Sequence, residues 1–195
     1  MEKKDHNSIE MKRLAKKIEF LDNPERRGDI LPEKLLNMLP VKKAGNFLDL
    51  GAGTGYITIP AAKIVEGMVF GLDIDSNMLE VINSKAKKEN ITNVKALKGS
   101  IDDIPLSDNS IDFALASLVL HEVKKLSNSL QQIKQVLKPD GYFVCIEIEK
   151  KDNPTHSHPR IASSIMEQEI TNAGLRVTEK LYPTGGIYII IAKKQ

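Results

Sequence analysis

A single cysteine among 195 residues rules out an internal disulfide. Cys145 sits inside the apolar run Tyr142 to Ile148, so it reads as a core thiol of a protein kept in a reducing compartment. Long hydrophobic runs are missing as well: no stretch reaches the eighteen or so apolar residues that a membrane helix needs. The N-terminus is charged and lacks the apolar core of a signal peptide. The expectation is a cytoplasmic protein without a membrane partner. Charge of one sign is also scarce, with 28 Lys and Arg against 26 Asp and Glu for a net charge of +2, so no nucleic-acid partner is called for. Lys85, Lys87, Lys88, Lys124 and Lys125 read as solvated helix faces, and only the first seventeen residues are locally basic, through Lys3, Lys4, Lys12, Arg13, Lys16 and Lys17. No internal repeat, low-complexity tract or cysteine and carboxylate cluster of metal-binding type occurs.

What is present is an ordinary globular composition, 41% hydrophobic and 28% charged, of a length suited to one α/β domain. Apolar runs of strand length alternate with segments of helical period, the pattern of a mostly parallel sheet covered by helices on both faces. The strands are expected at Asn46 to Leu50, Met68 to Asp73, Val94 to Leu97, Ile111 to Ser117 and Tyr142 to Glu147. Helices are expected from Tyr56 to Val65, from Ser76 to Lys88 with Ser76 and Asn77 at its N-cap, and from Leu126 to Leu137, stopping at Pro139-Asp140-Gly141. The fourth of these helices runs from Arg160 to Ala173 and is ended by Gly174.

Two last strands, Leu175 to Tyr182 and Ile187 to Lys193, joined through Pro183-Thr184-Gly185-Gly186, should form an antiparallel hairpin. The fold class is therefore α/β: a Rossmann-like, doubly wound sheet of seven strands, mostly parallel, with an antiparallel C-terminal hairpin. Residues 1–40, with a helix near Ser8 to Phe20 and another opening at Pro32, are expected to cap the site of the domain formed by residues 41–195. The polar segment Lys150 to Pro159 reads as a long loop of the kind that often carries function.

The strongest chemical signal is Phe47-Leu48-Asp49-Leu50-Gly51-Ala52-Gly53-Thr54-Gly55-Tyr56, an apolar strand running through three glycines into a helix. Glycine is needed there because the chain turns sharply and a ligand must approach the backbone. The spacing is not the G-x-G-x-x-G of dinucleotide-binding domains, which would require a glycine at Tyr56, and no lysine follows as in phosphate-cradling loops. Asp73 closes the second strand eighteen residues past Gly55, where an acidic side chain in such folds accepts hydrogen bonds from ribose hydroxyls.

These motifs, with Gly-Leu-Asp73-Ile-Asp-Ser-Asn-Met-Leu and Leu-Lys-Pro-Asp-Gly-Tyr, together resemble the class I S-adenosylmethionine-dependent methyltransferases. The likeness is to their type 11 group, which includes quinone-biosynthesis methyltransferases, and covers about Leu35 to Lys194. The resemblance implies S-adenosylmethionine as cofactor. It also implies that Gly51, Ala52 and Gly53 pass under the methionine part, that Asp49 helps to hold its amino group, that Asp73 binds the ribose and that Ile74 packs on adenine. Where the family often has an acidic residue against adenine this chain has Ser100, with the backbone N–H of Ile101 beside it. The end of the fourth strand, Ser117, is expected to face the transferred methyl, which makes His121 the candidate general base for an acceptor that must lose a proton. A helix-start histidine bound to backbone is the plain alternative.

The pair Arg26-Arg27 could reach over the cofactor or hold an acidic substrate, with a solvated surface as the plain alternative; Arg26 and the loop residues His156 and His158 are the candidate substrate contacts, and no metal is expected. The segment Ser117 to His121 has neither the Asn/Asp-Pro-Pro-aromatic tetrapeptide of amino-methylating DNA enzymes nor the Pro-Cys of cytosine C5 enzymes. A small-molecule acceptor is therefore expected, and arsenite is disfavoured by the lone thiol. The rival readings are a nicotinamide-dependent oxidoreductase and a non-catalytic S-adenosylmethionine-binding module.

Overall fold

The apolar runs form seven strands in one sheet: β1 Phe47–Leu50, β2 Val69–Asp73, β3 Val94–Lys98, β4 Ile111–Ser117, β5 Leu137–Ile148, β6 Leu175–Thr184 and β7 Ile187–Lys194. The computed structural model describes residues 2–41, 45–150 and 159–195, residues 2–8 by backbone alone. The strand order is β3-β2-β1-β4-β5-β7-β6. Strands β1 to β5 pair in parallel, β7 is antiparallel to β5, and β6 is antiparallel to β7.

Helices α1 Glu2–Asp22, α2 Pro32–Asn37, α3 Thr58–Ile64, α4 Ser76–Lys88, α5 Leu126–Val136 and α6 Ser163–Asn172 complete the order. Every residue of β1 is buried, as a parallel strand covered on both faces must be. One apolar layer sets Leu130, Ile133, Met166 and Ile170 of α5 and α6 against the sheet. The opposite layer is built from Leu35 and Leu36 of α2 with Ala61 and Ala62 of α3. Helix α4 buries Met78, Leu79, Ile82 and Ala86, one stripe of the helical period. Each fully buried Leu, Ile or Phe contributes roughly 1.5–3 kcal/mol.

Several boundaries differ from the sequence expectation, each for a local reason. Helix α3 starts at Thr58 rather than Tyr56, because Gly55 adopts a left-handed φ of 79° and prolongs the turn. The N-cap of α4 is Asp75, not Ser76 or Asn77: its carboxylate accepts the Asn77 N–H at 2.9 Å. Helix α5 ends at Val136, one residue short of the expectation, because Leu137 takes an extended conformation with ψ 137° and opens β5. Strand β5 begins at Leu137, paired with Ile111, and resumes with Tyr142 opposite Phe113. Lys138 to Gly141 form an excursion between those pairs, with Asp140 at φ 63°. Helix α6 starts at Ser163 and is closed by Gly174 at φ 81°. Helix α1 extends beyond the expected Ser8 to Phe20 at both ends. Most of the expected loop, residues 151–158 with His156 and His158, lies outside the described residues.

Candidate functional site

In an open α/β sheet, ligands bind outside the carboxyl ends of the strands where the strand order reverses. Here that point falls between β1 and β4, and a cavity of about 830 Å³ opens there, within the usual size of a ligand pocket. Its floor is the turn after β1. Gly51 has φ 66°, and a Cβ there would come within 2.4 Å of Val119 Cγ2, so only glycine lets the turn and the β4 end pack together. Val119 reaches that position because Leu118 before it takes a left-handed φ of 56°, a conformation that costs a bulky residue roughly 1–2 kcal/mol and that the buried Leu118 side chain and the Leu118 N–H to Ile146 C=O bond (2.8 Å) hold in place.

Asp73 closes the adjoining wall. One carboxylate oxygen accepts the Gly53 N–H at 2.8 Å and the other accepts the Asp75 N–H at 2.8 Å, so the same side chain fixes the glycine turn and the start of α4. A carboxylate has about four lone-pair sites, which leaves room for two further donors. Beside it Ile74 is 73% exposed while lining the cavity, a large apolar surface placed where a flat ring can cover it. Ser100, Ile101 and Asp102 form the facing wall. The Ser100 hydroxyl is turned to the Asp102 N–H at 3.2 Å, and Asp102 is bonded to Ser129.

The N-terminal segment closes the top. Lys17 and Leu21 of α1 line the cavity, and α1 is fastened there by Lys17 to Asp75 at 2.7 Å and by Asp22 to Lys85 and Thr54. A tight turn Pro24–Arg27 follows, capped by the Asn23 side chain on the Glu25 N–H and ended by Gly28 in the left-handed region. It delivers Arg26 and Arg27 to the cavity in different ways. Arg26 stacks over Phe20 at 4.3 Å. Arg27 is buried, with Nε on Ser117 Oγ at 3.2 Å, Nη1 on the Leu21 carbonyl at 3.3 Å and the guanidinium 4.4 Å from the Tyr56 ring centre. These partners are neutral, so burial lowers the Arg27 pKa, assisted by the charge of Arg26. Next to it the Tyr56 hydroxyl is buried without a hydrogen-bond partner, a condition rare enough to point to an absent partner.

The candidate residues thus separate. Gly51, Ala52, Gly53, Asp73, Ile74, Ser100, Ile101, Ser117 and Arg26 all line the one cavity. Asp49 lies beneath it, buried, with the Thr58 hydroxyl on Oδ2 at 2.6 Å. Burial raises its pKa to about 6 against the opposing bonds from Thr58 and the charge of Arg27. His121 stands behind the wall formed by Glu122, in the short 3-10 turn Leu120–Glu122, with Nδ1 on Glu147 Oε2 at 2.7 Å. Tyr56 and Glu147 are the groups that sequence reasoning did not single out.

A glycine turn beneath the cavity, an acidic residue at the end of the neighbouring strand and a sheet finished by an antiparallel pair are the features of the class I S-adenosylmethionine-dependent methyltransferase fold. The chain belongs to the methyltransferase domain family, whose pattern matches residues 41–184. It is 35% identical over 137 residues to a demethylmenaquinone methyltransferase of Geobacillus stearothermophilus, a match covering 69% of this chain and 56% of that one. The chain spans about half the length of the curated relatives it matches. Among solved structures, a SAM-dependent methyltransferase from Aquifex aeolicus superposes with a TM-score of 0.83 at 27% identity, over 92% of this chain and 98% of that one. The cyclase SpnF shares the fold, with a TM-score of 0.75 at 16% identity over 83% of this chain and 81% of that one. S-adenosylmethionine is the cofactor of this class, and the residues fit it: the turn that admits no Cβ at Gly51, the bared Ile74 and the spare lone pairs of Asp73 suit a nucleoside. Among the described residues no helix is long and apolar enough to cross a membrane, and no group of three His, Cys, Asp or Glu could hold a metal ion.

Proposed function

We propose that this chain transfers the methyl group of S-adenosylmethionine to a small molecule, and that the acceptor is a quinone-type ring like that named for its demethylmenaquinone methyltransferase relatives, taken in its reduced, hydroxyl-bearing form. The observation that carries the reading is the 830 Å³ cavity floored by the Gly51 turn and walled by Asp73 and Ile74. S-adenosylmethionine supplies a methyl group on a sulfonium, open to in-line displacement. Asp73 accepts from the ribose hydroxyls, Ile74 covers one adenine face, and Ser100 with the Ile101 N–H borders its edge. Asp49 faces the amino end of the methionine part from below. Arg27 and the unpartnered Tyr56 hydroxyl take its carboxylate, which replaces neutral partners by an anion and makes the stronger, charge-assisted bond.

Residues 1–40 act as a cap of the same domain: α1 and the turn after it exclude water, and alignment inside such a site supplies effective molarities that reach about 10⁵ M or more. Ser117 borders the methyl, His121 is the general base, and Arg26 contacts the acceptor. The buried free thiol of Cys145 accords with the cytoplasm. The test is calorimetric binding of S-adenosylhomocysteine, followed by incubation with radiolabelled S-adenosylmethionine and chemically reduced demethylmenaquinone or a metabolite extract. Binding and label in an organic product are expected. No affinity for either nucleoside would overturn the reading.

A further inference from the structure

Behind the cavity wall a buried carboxylate and an imidazole are paired in a way the binding of cofactor does not use. Glu147 near the end of β5 is 1% exposed. Its two oxygens have separate partners: Oε1 accepts the Leu120 N–H at 2.9 Å and, more distantly, the His121 N–H at 3.4 Å, while Oε2 meets His121 Nδ1 at 2.7 Å. The backbone bonds pin the carboxylate, and the pinned carboxylate fixes the ring. An ionised carboxylate can only accept, so Nδ1 carries the proton. The opposite nitrogen, Nε2, is directed at Glu122, 3.7 Å away, and Glu122 lines the cavity. Arg26 is close enough to Glu122 and Glu147 to feel their charges.

We infer that Glu147 is a positioning residue that holds His121 in the Nδ1–H form, so that the Nε2 lone pair is left on the side of Glu122, which lines the cavity, and takes the proton of an acceptor hydroxyl. This rests on the methyltransferase reading above and deepens it, since it restricts the acceptor to one with an ionisable O–H. In the step the O–H bond breaks, its electron pair stays on oxygen, and the proton forms the Nε2–H bond. The resulting imidazolium faces the Glu147 carboxylate until it returns the proton to solvent.

The division of the two oxygens makes a sharp test. In Glu147→Gln the amide carbonyl stays with the Leu120 N–H, which needs an acceptor, and the amide NH₂ turns to Nδ1. Nδ1 must then accept, and the ring changes to the Nε2–H form. Long-range ¹H–¹⁵N spectra of labelled protein at pH 7.5, with His121→Asn used to assign the resonance, should show Nδ1–H in the wild type and Nε2–H in E147Q. S-adenosylhomocysteine binding should stay within about twofold in E147Q, and methylation of reduced demethylmenaquinone should fall by roughly 10²–10⁴-fold, the usual contribution of a general base. A wild-type ring protonated on Nε2 would overturn the inference, and that measurement needs no variant to fold. So would an unchanged ring form in E147Q, or full turnover in E147Q despite the changed form. Loss of nucleoside binding by the wild type would instead defeat the methyltransferase reading and leave the ring assignment to stand or fall by its own spectra.

Discussion

Asp49→Asn should make the protein more stable near neutral pH and a poorer binder of its cofactor. Asp49 is fully buried, and burial lifts its pKa from 3.8 to about 6 even though Thr58 donates to it and Arg27 lies near. At 1.36 kcal/mol per unit, that difference amounts to about 3 kcal/mol. The folded state binds this proton more tightly than the unfolded chain, so the sign is opposite to that of a salt-bridged carboxylate. The contribution is most favourable below pH 3.8, declines as pH rises toward 6, and is constant and unfavourable above it. Removing the charge recovers part of this above pH 6. The amide NH₂ needs a partner of its own, at a cost of about 1–3 kcal/mol if it finds none, so a net gain of about 1–2 kcal/mol is expected. For a chain of this size that is a rise in Tm of roughly 2–8 °C.

The buried charge is reasonable only if something uses it, and the amino group of the methionine part is the proposed user. A bond between charged groups contributes about 1.5–3 kcal/mol, so D49N should bind S-adenosylhomocysteine roughly 10–150-fold more weakly. Only the ionised form serves, so wild-type affinity should fall up to tenfold per unit of pH below 6 and level off above it. Calorimetric titrations from pH 5 to 8, with thermal melts of both proteins at pH 4.5 and 7.5, read every part of this. The stabilisation should be clear at pH 7.5 and nearly absent at 4.5, and D49N should lose the pH dependence of binding. Equal affinity of D49N and wild type, or no stabilisation at pH 7.5, would refute the reasoning.

Asp73→Ala removes the acceptor of the Gly53 and Asp75 N–H groups together with the proposed ribose contact. A loss of about 1–3 kcal/mol, or roughly 5–150-fold in S-adenosylhomocysteine Kd, is expected by calorimetry. Gly51→Ala places a Cβ 2.4 Å from Val119 Cγ2 at a left-handed φ, and its melting temperature and binding should both fall. Shortening the obstacle in the double variant G51A/V119A should restore part of the binding but not the conformational cost. Arg27→Met keeps the bulk over Tyr56 and removes the charge, and the weakening of S-adenosylhomocysteine should exceed that of 5′-methylthioadenosine, which has no carboxylate. Equal loss for both would remove Arg27 from the carboxylate.

The strands were legible because β1, β4 and β5 are apolar on both faces, and the turn after β1 because three glycines in five residues have few other uses. Asp73 could be found from its distance to that turn. Arg27 could be found only as half of a pair: Arg26-Arg27 also looks like a solvated surface, and which one points inward is decided by the cap at Asn23 and the left-handed Gly28. The sequence pattern places Tyr56 in a helix, and its buried hydroxyl depends on the later start of α3. Glu147 did leave a signal, since period two puts it on the same face as Cys145 in an apolar strand, where an unpaired carboxylate is costly. Its partner, though, comes from a turn twenty-six residues earlier, and no local pattern names it.

Two bonds that no local pattern foretells converge on the same corner. Arg27 ties the N-terminal segment to Ser117 at the end of β4, and Glu147 ties β5 to the turn two residues beyond Val119. Between them lies Leu118 in a strained conformation, which survives only where the surroundings over-determine it. The fold alone does not settle what happens at this corner, since a cyclase shares it. In the proposed reading the nucleoside is held by the ends of β1 and β2 and the turn after β1, whereas the corner is set by the segment before β1 and the end of β5. Substitutions in the first group should therefore act on cofactor affinity, and substitutions of His121 and Glu147 on how the acceptor loses its proton.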